Sequence, residues 1–432
     1  MENRNLKIAL SVLAVLAMAY FATSRSFYDD VLANAFFAIE LGSLSILLFR
    51  LSSKWSNAAY VAGLLLAFGF IDFELRHFEH FVMAWFSFLG LASFAVLVIR
   101  VIWDNDRELL KYACATAFIF TASEYCASSF LLLTTRLHPK ALDLYLMLFD
   151  GSLGRVQPVF LFGRLYVIHP WLHTVSLAAY IGLAVPITMV YTGRLVRFGK
   201  KALAALAGFV IAGPLGVTLY NIFPAIGPRA LLGNDFPFHP IPHALLPQVV
   251  LGSVALPGWR NAMPSLHLAW TLLAWWYSRG LSKTERAIAF AFLALTAFAT
   301  MGTGEHWLAD LVVAFPFALM VQAICAFELP IKDARRQAAF FFGLFATFTW
   351  LALLRYGTRL FWTSPIVPWS LIAGTLALTT LRQQILESAQ ASWASHSADV
   401  RALHQGASES SMPLLRSKRE APNEALSLGP LA

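Results

Sequence analysis

The sequence predicts an all-α fold, a polytopic integral membrane bundle of about twelve transmembrane helices. Three observations predict it. Hydrophobic residues make up 58% of the 432 and charged residues only 13%, roughly half the charged share of an ordinary soluble domain. The mean hydropathy is +0.64. The apolar residues are gathered into long runs separated by short Lys and Arg clusters. A soluble globule is excluded. The formal charge of +8 does not point to nucleic acid, because the cations lie between apolar runs and not along one basic face. Cys114, Cys126 and Cys325 all fall inside apolar segments, so no disulfide framework is implied.

Five runs come first, at residues 6 to 22, 31 to 50, 58 to 72, 81 to 103 and 109 to 134. The first resembles a signal peptide, with Arg4 and Lys7 before it, but no small-residue cleavage site follows, so it is expected to stay as a span. A long connection, 135 to 170, follows; its Leu142-Asp143-Leu144-Tyr145 to Leu153-Gly154 stretch is expected along the membrane interface. Runs at 171 to 193 and 201 to 222 lead to a second long connection, 223 to 264. Runs at 265 to 281, 285 to 303, 306 to 328, 337 to 356 and 366 to 381 complete the set. Most meet the roughly 20 residues a helix needs to cross the hydrocarbon; the third and twelfth are short. Residues 382 to 432 read as a short helix continuing into a disordered tail. No internal repeat is found.

Short loops rich in Lys and Arg face the cytoplasm. The clusters Arg194, Arg197, Lys200 and Lys201; Arg279, Lys283 and Arg286; and Lys332, Arg335 and Arg336 all fit one parity, as do Arg50 with Lys54. Both termini are then cytoplasmic and the two long connections extracytoplasmic. Nine of the eleven histidines fall on the outer side, which directs the search for chemistry there.

Three stretches carry it. In Asn261-Ala262-Met263-Pro264-Ser265-Leu266-His267, Pro264 suits a helix's first turn, so the following N–H groups and the Ser265 hydroxyl make a phosphate cradle beside His267. The plain alternative is a Pro-started helix with an interfacial Ser and His. In His306-Trp307-Leu308-Ala309-Asp310, His306 and Asp310 share a helix face at about 6 Å, so the carboxylate can accept from the imidazole and make its other nitrogen nucleophilic. The alternative is a structural His–Asp pair. In Phe223-Pro224-Ala225-Ile226-Gly227-Pro228-Arg229, a rigid turn can hold the Arg229 guanidinium over a phosphate, where the alternative is a headgroup anchor. Topology puts all three at one face.

Together these stretches resemble the type 2 phosphatidic acid phosphatase superfamily. Pro264-Ser265-Leu266-His267 matches its Pro-Ser-x-His motif, and His306 with Asp310 matches the end of its third motif, with 38 residues between His267 and His306. The Ala-Met before the first motif, and the Phe-Pro-x-x-Gly-Pro-Arg stretch, look most like the inositol phosphorylceramide synthase-like (inositolphosphotransferase) branch and its bacterial relatives. The resemblance implies a six-helix phosphatase-type core at about 135 to 328, flanked by five spans in 1 to 134, two in 329 to 381 and the cytoplasmic tail. It implies His306 as nucleophile, Asp310 as its orienting partner, His267 as general acid and base, and Ser265 with Arg229 as phosphate ligands. The implied enzyme is a metal-independent lipid phosphatase or phosphotransferase working through a phosphohistidine at the extracytoplasmic face, in a bacterial inner or plasma membrane. Its partners are a lipid phosphate and the membrane lipids, with no cofactor and no nucleic acid.

Two departures stand out. Where the phosphatase pattern has an Arg six residues before the catalytic His, this chain has Thr300, and Arg229 lacks the usual Lys and Arg-Pro company. Fewer cations fit the synthase-like branch better; Arg260 is a candidate to compensate, although a headgroup anchor is the simpler reading. His77 with His80, and His169 with His173, have metal-like spacing without a third ligand, and interfacial histidines explain them. Glu40 and Glu124 lie mid-span, marking a partnered polar contact or an ion path. Rival readings are a multi-span transporter, disfavoured by the lack of a repeat, and an inert relative with a binding role.

Overall fold

The computed structural model describes residues 2–24, 35–52, 54–76, 81–104, 108–155 and 157–410. The chain is 80% helical, with 17 helices among the described residues. The N-terminal region forms α1 (Glu2–Thr23), α2 (Ala35–Leu51), α3 (Trp55–Arg76), α4 (Phe81–Trp103) and α5 (Glu108–Leu137). The strand β1 (Lys140–Ala141) precedes α6 (Asp143–Ser152), α7 (Pro158–Ile168), α8 (Pro170–Ile181), α9 (Ala184–Phe198), α10 (Leu203–Ile222) and the single turn α11 (Pro228–Leu232). After β2 (Val254–Ala255), which pairs antiparallel with β1, come α12 (Leu266–Tyr277), α13 (Lys283–Gly302) and α14 (Leu308–Ile324). The chain continues through α15 (Ala334–Tyr356), α16 (Thr358–Phe361) and α17 (Ile366–Ser410).

Every one of the twelve apolar runs contains helix. Among the described residues six segments are long and apolar enough to cross a membrane: Arg4–Ala22, Trp55–Glu74, Val82–Trp103, Ala184–Ile222, Lys283–Gly302 and Ala334–Tyr356. The expected span at 171 to 193 is two helices, not one. Pro186 has no N–H to offer the Gly182 carbonyl four residues back; the Val185 N–H takes that carbonyl instead, at 3.0 Å, and the helix breaks there. α6 departs from expectation too. It does not lie along a surface but is buried along nearly its whole length, with Phe149 edge-on to Trp350 and Phe361 at 5.4 and 4.9 Å.

The short helix expected from 382 is long. α17 runs unbroken to Ser410, burying Leu386 and Ala389, pairing Glu387 with Arg279 and bonding Gln390 to Glu328 at 3.2 Å. Residues 411–432, and His77 with His80, lie outside the described residues, as does the side chain of Glu124. Glu40 lies half-buried in α2.

The basic clusters meet at one end of the bundle. Arg50 of α2 pairs with Glu285 of α13, Arg194 of α9 donates to the Tyr277 carbonyl of α12, and Arg336 of α15 donates to the carbonyls of Ala323 and Ile324 that end α14. The bonds of Arg194 and Arg336 satisfy helix C-termini with cations, as the helix dipole favours. The opposite ends converge on the segments that carry the three motifs.

The N-terminal region is joined to this core through α2, where Ser43 Oγ lies 2.9 Å from Thr188 Oγ1 of α9. α2 is in turn held by α4 at Gly90, where an added Cβ would lie 2.1 Å from the Leu41 carbonyl oxygen. No side chain fits there. Replacing Gly90 by Leu is expected to push α2 from α4 and lower stability by about 1–3 kcal/mol, read as a lower melting temperature in detergent; an unchanged melt would show that the two helices separate freely.

Candidate active site

The turn between α13 and α14 is folded back on itself. The Thr300 carbonyl accepts from both Glu305 and His306 N–H at 3.1 Å, and Gly304 adopts φ 77°, open to glycine with little strain. This presents His306 outside either helix, yet 3% exposed. Its Nδ1 lies 2.9 Å from the Ala262 carbonyl oxygen. A carbonyl has no proton to give, so Nδ1 carries the hydrogen and Nε2 is left with a free lone pair. Burial pulls the imidazole down from its ordinary value to about 4, against the Glu305 charge and the Ala262 bond, so the ring is neutral at pH 7.

The orienting partner differs from expectation. Asp310 Oδ2 is 3.5 Å from His306 Nδ1, farther than the Ala262 carbonyl, and accepts the Trp307 N–H at 2.8 Å. Sitting in the first turn of α14, Asp310 is drawn to its own helix start. Its Oδ1 is buried with no donor. Asp310 thus lies beside the ring, while a backbone carbonyl fixes the tautomer.

The start of α12 is bolted to the same place. The Ser265 N–H donates to the Asp310 carbonyl at 3.1 Å, and Ser265 caps α12 by accepting from Leu268 N–H at 3.4 Å. Pro264 therefore precedes the cap and is not in the first turn. Of the N–H groups expected to be open, that of Leu266 is taken by the Tyr220 hydroxyl. The cradle is smaller than the motif suggests, and Ser265 is fully buried, its hydroxyl hydrogen being what it has to offer. His267, half-buried, stacks on Tyr180 at 4.2 Å, leans on Phe36 of α2 at 5.6 Å and meets the edge of Trp270 at 6.4 Å. It is close enough to His306 for the two to interact electrostatically.

Arg229 is held against this turn by its backbone. Its N–H donates to the Gly304 carbonyl at 3.0 Å, and Gly227, at φ 131°, packs so tightly that a Cβ would lie 2.3 Å from the Glu305 carbonyl oxygen. The Arg229 side chain is exposed and interacts electrostatically with Tyr166. Beneath lies Asp143, fully buried, which accepts from Gly227 N–H at 2.7 Å, Ile226 N–H at 3.0 Å and Trp307 Nε1 at 3.0 Å. Burial pushes its carboxyl up from the ordinary range, and these donors together with Arg260 pull it back toward the ionised form.

The three motifs therefore meet around one exposed cation, one half-buried imidazole and one buried imidazole with a free nitrogen. Residues 144–324 match the PAP2 superfamily model. The matched segment runs from α6 through α14 and contains Arg229, Ser265, His267, His306 and Asp310. No curated protein and no solved structure matches the chain. The PAP2-like segment, together with the apolar helices, fits a membrane protein of phosphatase type.

Several residues have other roles than the sequence suggests. Arg260 is neither a spare phosphate ligand nor a headgroup anchor: it is 1% exposed and donates to four carbonyls, those of His138, Pro139, Leu256 and Gly258, at 2.6–3.1 Å. His173 lies on the Tyr166 ring at 4.2 Å, and His169 is exposed at the joint of α7 and α8. Among the described residues no group of three or more His, Cys, Asp or Glu is placed to hold a metal. Sequence reasoning missed Asp143, Tyr180, Phe36 and the Ala262 carbonyl. An Asp inside the apolar Leu142–Phe149 stretch was the one available signal.

Removing the Asp143 carboxyl leaves three buried N–H groups without acceptors, each costing about 1–3 kcal/mol. Asp143→Ala is expected to lower the melting temperature far more than Lys140→Ala three residues away. Equal melts would show that Asp143 does not hold the three segments together.

Proposed function

We propose that the chain is a membrane-embedded lipid phosphatase or phosphotransferase that acts on a lipid phosphate or phosphodiester through a phosphohistidine on His306. The observation that carries this reading is the His306 tautomer: with Nδ1–H committed to the Ala262 carbonyl, Nε2 is a neutral nucleophile inside the PAP2-like segment. The His306 Nε2 lone pair attacks phosphorus, and the bond to the leaving oxygen breaks as His267 protonates that oxygen. His267 then takes the proton of the acceptor hydroxyl, whose oxygen attacks the phosphohistidine and frees His306. Asp310 stabilises the positive charge that His306 gains. Arg229 and the Ser265 hydroxyl bind the phosphate oxygens, and no step requires a metal.

The finer reading is transfer to an alcohol, as in the inositol phosphorylceramide synthase-like branch. It is favoured by Thr300, whose hydroxyl donates to the Ala297 carbonyl at 3.0 Å where the phosphatase pattern supplies a cation. We place the reaction at the extracytoplasmic face of a plasma or bacterial inner membrane, with both termini cytoplasmic, because the basic ends of the helices gather at the opposite end of the bundle from His306. The catalytic core on this reading is 135–328.

His306→Ala is expected to reduce turnover of a lipid phosphate panel by more than about 10³-fold while the protein still inserts and melts normally. Phosphate release by that variant at the normal rate ends the proposal. Arg229→Ala is expected to weaken phosphate binding by about tenfold to a hundredfold, with Arg229→Lys recovering only part because a bidentate fork is lost; the measurement is KM and kcat on the same substrate, with and without an alcohol acceptor. Full activity in EDTA is expected, whereas loss restored by a divalent cation would point to a metal hydrolase.

A further inference from the structure

A second polar site lies behind the Pro224–Arg229 segment. A cleft of about 360 Å³ opens where the ends of α5, α10 and α15 meet the β1–β2 ribbon, and His138, Lys140 and Arg355 line it. No acidic side chain lines it, and neither Lys140 nor Arg355 forms an ion pair with a described residue. The cations face the cleft uncompensated.

Arg355 is the most telling of them. Its guanidinium lies over the Tyr145 ring at 4.6 Å, and its Nη1 is buried with no hydrogen-bond acceptor. Stacking uses the flat face of a guanidinium and leaves its in-plane N–H groups to be met by acceptors. A buried donor without a partner is rare in folded proteins and marks a place where an acceptor is missing. A tetrahedral phosphate, with several acceptor oxygens and negative charge, answers both the orphan N–H and the unpaired cations.

The rim says more. Leu137 and Ile222, which also line the cleft, are 60% and 49% exposed at the ends of α5 and α10, where apolar helices finish. A polar floor under an apolar rim suits an amphiphile.

We propose that this cleft binds a phosphate mono- or diester anion, held by Arg355, Lys140 and His138, as the headgroup of a membrane phospholipid. It does not rest on the catalytic reading, since none of these residues belongs to the His306 site. The same chemistry is offered by free phosphate, so the test has two arms.

The protein, purified in detergent, is titrated with dioleoyl phosphatidylglycerol and separately with inorganic phosphate, with uncharged diacylglycerol as control. Bound lipid is counted by native mass spectrometry and stabilisation is read from the melt. Wild type is expected to retain one more phosphatidylglycerol than Arg355→Gln or Lys140→Gln, and each variant to weaken that binding at least tenfold while diacylglycerol binds neither better nor worse. Lys140 is exposed, so its variant keeps the assay informative if Arg355→Gln fails to fold. Stabilisation by inorganic phosphate that is lost in the same variants, and competes with the lipid, assigns the anion to the free ion. Equal phosphatidylglycerol retention and equal melts for wild type and Lys140→Gln overturn the site. A catalytic failure of His306→Ala leaves these readouts unchanged, so the two proposals fail separately.

Discussion

The carboxyl of Asp143 accepts hydrogen bonds from Ile226, Gly227 and the Trp307 indole, and so ties three segments together that lie at least 80 residues apart in the chain. Around it the backbone is laced further. Leu142 N–H reaches the Pro224 carbonyl at 2.7 Å, Ala262 N–H the Ala225 carbonyl at 3.1 Å, and Ser265 N–H the Asp310 carbonyl at 3.1 Å. None of these bonds belongs to a helix. They are what converts a set of apolar helices, which would pack in many ways, into one arrangement in which the segments carrying Arg229, His267 and His306 are bonded to one another. In a low-dielectric interior a carboxyl with fewer donors would be costly; with three, it forms a non-helical hub.

That hub explains what sequence could and could not reveal. The helices were legible because apolar runs have only one economical backbone in a bilayer. Ser265, His267, His306 and Asp310 stood out in the sequence because polar residues at the ends of such runs need a reason. The carbonyl of Ala262 was not, since every residue has a carbonyl and only the fold decides where it points. Asp143 looked interfacial because its neighbours are apolar, when burial on all sides was the alternative. Arg260 was noticed, but its four carbonyl acceptors come from two separate loops and leave no trace in spacing. The break at Gly182 was written in Pro186, four residues on, and hidden by an unbroken apolar composition.

The N-terminal spans acquire a local reason to exist. Phe36 of α2 closes one side of the His267 ring, with Tyr180 of α8 stacked on another. Phe36 also meets Tyr180 edge-on at 5.6 Å, so the two rings brace each other around the imidazole. An imidazole so enclosed is held in one orientation and shielded from bulk water. The matched segment at 144–324 does not include Phe36, so this wall is something the flanking region adds.

Helix length makes the same point from another direction. α12 and α14 begin at the site and have 12 and 17 residues, about 18 and 26 Å at 1.5 Å per residue, against a hydrocarbon core of about 30 Å. On the proposed topology, helices that start at Leu266 and Leu308 and end beside the basic clusters begin below the far surface of the bilayer. On the proposed reading, the nucleophile at their head is recessed to a depth where lipid headgroups and the first carbons of their chains lie. The rings around His267 there are those of Phe36, Tyr180 and Trp270. Such a recess suits a phosphate that arrives attached to a hydrocarbon tail and disfavours one that must leave water alone. On the proposed reading, the chain selects lipid substrates less by contacts to the tail than by the depth at which two short helices place their histidines.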